Sequence, residues 1–250
     1  IIAWDLAGNE VLVSYFIIID ATPPNLIVNG LKNNSVSKCI EFSWNISDSN
    51  LKTAYVVING EKIGGVSGSF VLSDEGYYEI MFYGDDLAGN WMMITYYVTV
   101  DLSPPVIFVD GLGNCSWFSS NLIIISAIVE DDLTANISIY IDGYLYAVNR
   151  SECSLHVCLS DGTHNITFIG TDLVGNSATL SYIIHVDSKA PKIMLSGVLN
   201  ESVVSYANVS WFVMDDHLSH VELLIDGDIF NVSSSGFVIF NESGYYTVEI

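Results

Sequence analysis

The residues in this chain best suited to chemistry are its carboxylates. Asp20, Asp101 and Asp187 each stand just before a proline-containing segment. A second set comprises Asp48, then Glu130, Asp131 and Asp132, then Asp215 and Asp216; a third pairs Asp86 with Asn90 and Asp172 with Asn176. Their oxygens are hard ligands, of which Ca2+ takes about six to eight. Two carboxylates about 5 Å apart repel by roughly 3 kcal/mol at an effective dielectric near 20, a cost that a bound cation removes. Asp, Asn and Gly are equally the residues of tight turns, through side-chain bonds to the backbone and tolerance of positive φ. Turn chemistry therefore accounts for the same residues without a metal.

Other chemistry has less to build on. His217 and His220, in the string Asp215 to His220, offer nitrogen ligands but sit in or beside a loop. Ser, His and Asp are present for a hydrolytic triad, yet no Gly-x-Ser-x-Gly or comparable nucleophile context occurs. Carboxylate pairs alone would also suit a glycosidase. Seven Lys and Arg against 29 Asp and Glu, a formal charge of −22, repel phosphate and exclude nucleic acid and anionic membrane surfaces as partners. Apolar residues make up 50% and charged ones only 14%, which excludes a disordered chain. The apolar runs, such as Ile17–Ile19 and Leu122–Ile125, fall far short of the ~20 residues of a transmembrane helix.

Internal repeats organise these residues. Asp5-Leu-Ala-Gly-Asn9 returns as Asp86-Leu-Ala-Gly-Asn90 and Asp172-Leu-Val-Gly-Asn176, at offsets of 81 and 86. The segment Asp20 to Pro24 returns at the same offsets as Asp101 to Pro105 and Asp187 to Pro191. Ile58-Asn-Gly60, Ile141-Asp-Gly143 and Ile225-Asp-Gly227 form a third series, and Gly76-Tyr-Tyr78, Gly162-Thr-His164 and Gly244-Tyr-Tyr246 a fourth. Four markers in one order at one period define a small repeated domain. The prolines mark linkers, because proline fixes φ and holds its predecessor extended. The expected boundaries are 1–20, the last strands of a preceding domain; 21–101; 102–187; and 188–250, a domain without its last strands. An excerpt from a longer chain accounts for both ends more simply than residues 1–20 filling the gap in another copy.

Within each repeat, apolar and polar residues alternate, as at Ala54, Val56 and Ile58, at Ile137, Ile139 and Ile141, and at Val221, Leu223 and Ile225. Turn residues recur between such runs and no helical period is present, so each repeat reads as about seven short strands in a Greek-key, antiparallel β-sandwich. Gly76-Tyr77-Tyr78 and Gly244-Tyr245-Tyr246 resemble the tyrosine corner of immunoglobulin-like domains, with His164 departing from it in the second repeat. The cysteine pair of antibody domains is absent, and Trp44 and Trp211 fall on the second strand. The Asp-x-Ala-Gly-Asn turn, a strand and Val-Asp-x-x-Pro-Pro together resemble the tandem bacterial and archaeal Ig-like repeats of large surface proteins. The resemblance implies tandem immunoglobulin-like sandwiches in an extracellular stalk, adhesin or envelope protein, with neighbouring domains of the same chain as first partners and surface glycans or proteins as others. In such a sandwich the carboxylate sets converge at one end, beside the incoming linker. That arrangement is similar to the calcium-rigidified junctions of cadherin-like arrays, which makes Ca2+ the candidate cation.

Compartment has its own signals. Asn-x-Ser/Thr sequons begin at Asn33, Asn45, Asn114, Asn136, Asn149, Asn165, Asn200, Asn208, Asn231 and Asn241. With 19 Asn and 40 Ser plus Thr in 250 residues, chance supplies only about three, so the excess points to a glycosylated, extracellular surface. Of the four cysteines, Cys153 and Cys158 flank four residues and are the candidate disulfide; Cys115 could pair with either, and Cys39 is as readily a buried thiol. The expectation is a non-enzymatic stalk or spacer. A glycan- or protein-binding adhesin module, or an accessory region of a secreted hydrolase, are the alternatives. Exposed aromatics such as Tyr77, Trp117, Tyr140 and Tyr245 suit sugar stacking but more often pack across strands.

Overall fold

A computed structural model describes residues 1–133 and 135–250. All the regular structure is β. In the first repeat, after the short hairpin β1 (Ile2–Trp4) and β2 (Glu10–Leu12), come β3 (Asn25–Asn29), β4 (Ser35–Ser37), β5 (Ile40–Ser47), β6 (Leu51–Ile58), β7 (Glu61–Gly64), β8 (Ser67–Leu72), β9 (Gly76–Asp86) and β10 (Trp91–Val100). They form a three-stranded sheet β3-β5-β8 and a five-stranded sheet β4-β10-β9-β6-β7. The expected first strand is broken in two. Gly30 and Asn34 take positive φ, so the chain turns out of its antiparallel pairing with β5 and its second half runs parallel to β10. Counting both halves, the sandwich has eight strands rather than seven.

The second repeat copies this plan with β11 (Val106–Asp110), β12 (Ser116–Phe118), β13 (Leu122–Glu130), β14 (Asn136–Ile141), β15 (Tyr144–Arg150), β16 (Glu152–Cys158), β17 (Gly162–Thr171) and β18 (Ser177–Val186). Its sheets are β11-β13-β16 and β12-β18-β17-β14-β15. The third has β19 (Lys192–Ser196), β20 (Ala207–Met214), β21 (Val221–Ile225), β22 (Asp228–Val232), β23 (Ser235–Phe240) and β24 (Val248–Glu249), in sheets β19-β20-β23 and β22-β21-β24. The chain is thus a set of immunoglobulin-like β-sandwiches. Among the described residues, no helix is long and apolar enough to cross a membrane.

The described residues divide into two compact units. One holds the chain from Ile1 to Pro105 with the loops carrying Asp131 and Asp172; the other holds the rest of the second repeat and all of the third. The core of the first unit is built from alternate residues of both sheets: Ile40, Phe42, Trp44 and Ile46 of β5 face Val56, Ile58, Ile80, Phe82, Val98 and Val100. The second unit has two cores, a larger one around Ile123, Ile125, Ile137, Ile139, Ile166 and Phe168 and a smaller one around Trp211, Val213, Val221 and Leu223. Burial drives this alternation, since each strand turns every second side chain inward.

Local chemistry fixes the ends of the strands. Asn59-Gly60, Asp142-Gly143 and Asp226-Gly227 all have positive φ at both residues, the two-residue hairpin turn that matches strand twist. Tyr78 donates its hydroxyl to Asp74 O at 2.8 Å, and Tyr246 donates to Glu242 O at 3.4 Å. His164 makes the corresponding bond, Nε2 to Ser160 O at 2.8 Å, so the corner survives with an imidazole in place of a phenol.

Two expectations need correction. Cys153 and Cys158 both lie on β16, Cys153 buried and Cys158 exposed. Five residues along an extended strand span about 16 Å, far beyond the ~6 Å between bridged Cα atoms, so this pair does not form a disulfide. All four cysteines are free thiols, and Cys39 is exposed rather than buried.

Candidate metal centre

Each linker aspartate is held by the loops of the sandwich that follows it. Asp20, Asp48 and Asp86 bring one carboxylate oxygen each to within 4.8 Å of one another, and Asp101, Asp131 and Asp172 do the same. At the third position Asp187 and Asp215 meet His217 with equal closeness. The sequence-level sets therefore converge, one member from each. Glu130, Asp132 and Asp216 do not join them; they are exposed, Glu130 at the end of β13 and the other two in the loops. Sequence reasoning gave His217 little weight because it sits in or beside a loop. The loop geometry explains its arrival: the Asp215 carboxylate accepts the His217 backbone N–H at 2.8 Å, which curls the loop and turns the ring back to the linker.

The same local turn recurs in all three. Asp48 Oδ1 accepts from Asn50 N at 2.7 Å, and Asp131 Oδ1 from Leu133 N at 2.8 Å. The turn aspartates are fixed by their asparagines. Asn90 donates N–H and Nδ2 to the two oxygens of Asp86 at 2.8 and 2.7 Å, and Asn176 treats Asp172 identically. Gly89 and Gly175 supply the positive φ that closes each turn. Asn90 and Asn176 also donate to the linker carbonyls, of Asp20 and Asp101 respectively, at 3.2 Å. They act as clamps on the linker as well as turn formers. Asp86 and Asp172 are buried, whereas Asp20, Asp48, Asp101 and Asp131 are half-buried.

Within the unit that contains it, the linker at Asp101 is held from both sides. Its N–H donates to Ser37 O at 3.1 Å, Ser103 Oγ donates to Glu75 at 2.6 Å, and Lys38 Nζ reaches Gly175 O at 2.7 Å. In the other unit the pattern repeats at Asp187. Its N–H donates to Phe118 O, and Ser188 donates N–H and Oγ to Asp161. Those Ser188 bonds and Lys189 hold the Asp161 carboxyl down at about 2. Trp117 stacks on His185 and also lies 4.7 Å from the His217 ring.

The linker carboxylates differ electrostatically. Asn50 Nδ2 donates to Asp20 Oδ2 at 2.9 Å and, with Thr22, lowers its pKa. His217 Nδ1 sits 2.9 Å from Asp187 Oδ2 and lowers that pKa in the same way. Asp101 is pushed up instead, first by burial and then by the charges of Asp172, Asp131 and Glu75, against the Ser103 N–H. Its Oδ2 is buried without a hydrogen-bond partner among the described residues. No Lys or Arg there pairs with either all-carboxylate cluster. A hard dication fits this donor set: three convergent carboxylates, one of them with an orphaned oxygen, and no protein cation to neutralise them.

No family model matches the chain, and no curated protein matches it. Among solved structures it is similar to the fibronectin(III)-like modules of Clostridium thermocellum CbhA, at 14% identity over 65% of this chain and 94% of that one, with a TM-score of 0.36. It is also similar to a tetra-tandem repeat in the extending region of a large adhesion protein, at 17% identity over 98% and 71%, again with a TM-score of 0.36. A third likeness, to Escherichia coli alpha-2-macroglobulin, has 10% identity and a TM-score of 0.27 over 90% of this chain and 28% of that one. At these scores the fold rests on the chain's own sheets and cores.

The remaining sequence candidates are also placed. All ten sequon asparagines are exposed. Asn33 and Asn114 use Oδ1 to accept the N–H groups of Tyr97 and Ile183, at 2.7 and 3.0 Å. Tyr77 stacks on Tyr97 with centroids 5.9 Å apart, so it packs across strands. His220 is exposed and outside the third cluster.

Proposed function

We propose that this chain is a non-enzymatic spacer in an extracellular surface protein, built from immunoglobulin-like domains at 21–101, 102–187 and 188–250, with 1–20 belonging to a preceding one. The repeated clamp on the linker carries the reading. At Asp20 and Asp101 a turn asparagine binds the linker backbone and a loop aspartate approaches its carboxylate. A device repeated for holding consecutive domains suits a protein whose task is to keep distance. Calcium is the finer part of the reading: Ca2+ at the linker carboxylates would offset their repulsion and stiffen the array. Exposure of all ten sequon asparagines supports a glycosylated surface, hence an outside location.

Small-angle scattering with and without Ca2+ tests this. A spacer gives an extended particle with a maximum dimension of about 30–40 Å per domain, narrowing in its distribution when Ca2+ replaces EDTA. A compact, globular scattering profile in both conditions would overturn the spacer reading.

A further inference from the structure

The position two beyond the loop aspartate carries a different residue in each repeat: Asn50, Leu133 and His217. Asn50 and His217 each reach the linker aspartate's Oδ2 at 2.9 Å. Leucine has no polar atom to do so. The matching oxygen of Asp101 is the one left buried and without a partner. Asp131 and Asp172, the latter buried, each bring a carboxylate oxygen to within 4.8 Å of an oxygen of the same Asp101 carboxylate. Asn176 is spent on Asp172 and the Asp101 carbonyl, and Lys38 on the Gly175 carbonyl. Among the described residues nothing neutralises this oxygen.

We propose that Asp101, Asp131 and Asp172 form the one high-affinity calcium site of the array, and that the residue two positions beyond the loop aspartate selects which junctions need the ion. A donor there, as at Asn50 or His217, closes the junction with a protein hydrogen bond, while Leu133 leaves it open to a cation. This rests on the calcium reading above and adds a ranking to it.

The test is calcium titration by isothermal calorimetry on the whole chain after EDTA treatment, with L133N, N50L and D101N alongside. The wild type should bind one Ca2+ tightly. L133N and D101N should weaken that site by on the order of tenfold to a hundredfold, since L133N gives the stranded oxygen a protein donor and D101N removes its charge. N50L should create a second tight site by stranding Asp20 Oδ2. Because N50L acts at a different junction by gain of binding, a misfolded L133N would not leave the idea standing unexamined. Tight binding that is indifferent to both L133N and N50L would overturn the selector while leaving calcium binding intact. Absence of binding in every variant would overturn the calcium reading and the ranking with it.

Discussion

Trp44 on β5 lies directly opposite Gly68 on β8, and a Cβ on that glycine would sit 2.7 Å from the indole ring. Gly64 is equally close to the same ring edge, at 2.6 Å, and Trp44 Nε1 donates to Gly65 O at 2.9 Å. The third repeat has the same pairing, Trp211 opposite Gly236, with Nε1 donating to Ser233 O at 3.0 Å. In the second repeat the couple is Ala127 opposite Cys153. The tryptophan has become small and the glycine has gained a side chain, so the facing volume is shared differently. That explains why Cys153 is buried while the other thiols are not.

Replacing Gly68 with Ala should therefore destabilise the first sandwich by about 1–3 kcal/mol, because the ring is packed against two glycines and bonded at its nitrogen. Ala at Gly60, where nothing stands within 4 Å, should cost less and only through its positive φ. Chemical denaturation of the two variants measures the difference; equal losses would contradict the packing account.

The His164 corner should make stability depend on pH. Burial opposes the imidazolium, but the Asp142 carboxylate at 2.7 Å and the Ser160 carbonyl outweigh it and raise the His164 pKa. A pKa raised on folding gives stability that is complete below the unfolded value of about 6.5 and is lost as pH rises through the folded value. Thermal unfolding of the second core should thus fall between neutral and alkaline pH. H164Y, which restores the corner phenol of the other repeats, should flatten that slope. A slope identical in H164Y would assign it to other groups.

Thiol accessibility should follow burial. A thiol-specific reagent should label Cys39, Cys115 and Cys158 in the native protein and reach Cys153 only after unfolding. Mass spectrometry of the labelled chain counts the sites, and rapid native labelling of Cys153 would contradict the core placement.

Sequon asparagines should separate into two groups. N33Q and N114Q should lower stability even in unglycosylated protein, by about 1 kcal/mol each, because Tyr97 N–H and Ile183 N–H lose a well-placed acceptor. N149Q and N241Q, for which no such bond exists among the described residues, should change stability little. Calorimetry on bacterially expressed variants distinguishes them, and peptide mapping after expression in a glycosylating host would show which sites carry sugar.

Much of this was legible in the amino-acid order. Period-two alternation at Val56, Ile58, Ile137 and Ile139 determined strands and the side they bury, and Asn59-Gly60 and Asp86 to Asn90 determined the turns, because these depend on near neighbours in the chain. The repeat spacing placed Asp20, Asp48 and Asp86 in one group for the same reason: identical turns at identical offsets deliver side chains to identical ends. What the chain order did not determine is how distant residues complete one another. The return of His217 to Asp187, the stranding of Asp101 Oδ2, the exchange of Trp and Gly for Ala and Cys, and the opposite faces of Cys153 and Cys158 all depend on register or on contacts between separate segments. Local propensity carries no record of which partner sits across a sheet or at the far end of a linker, so only the packed sandwiches decide it.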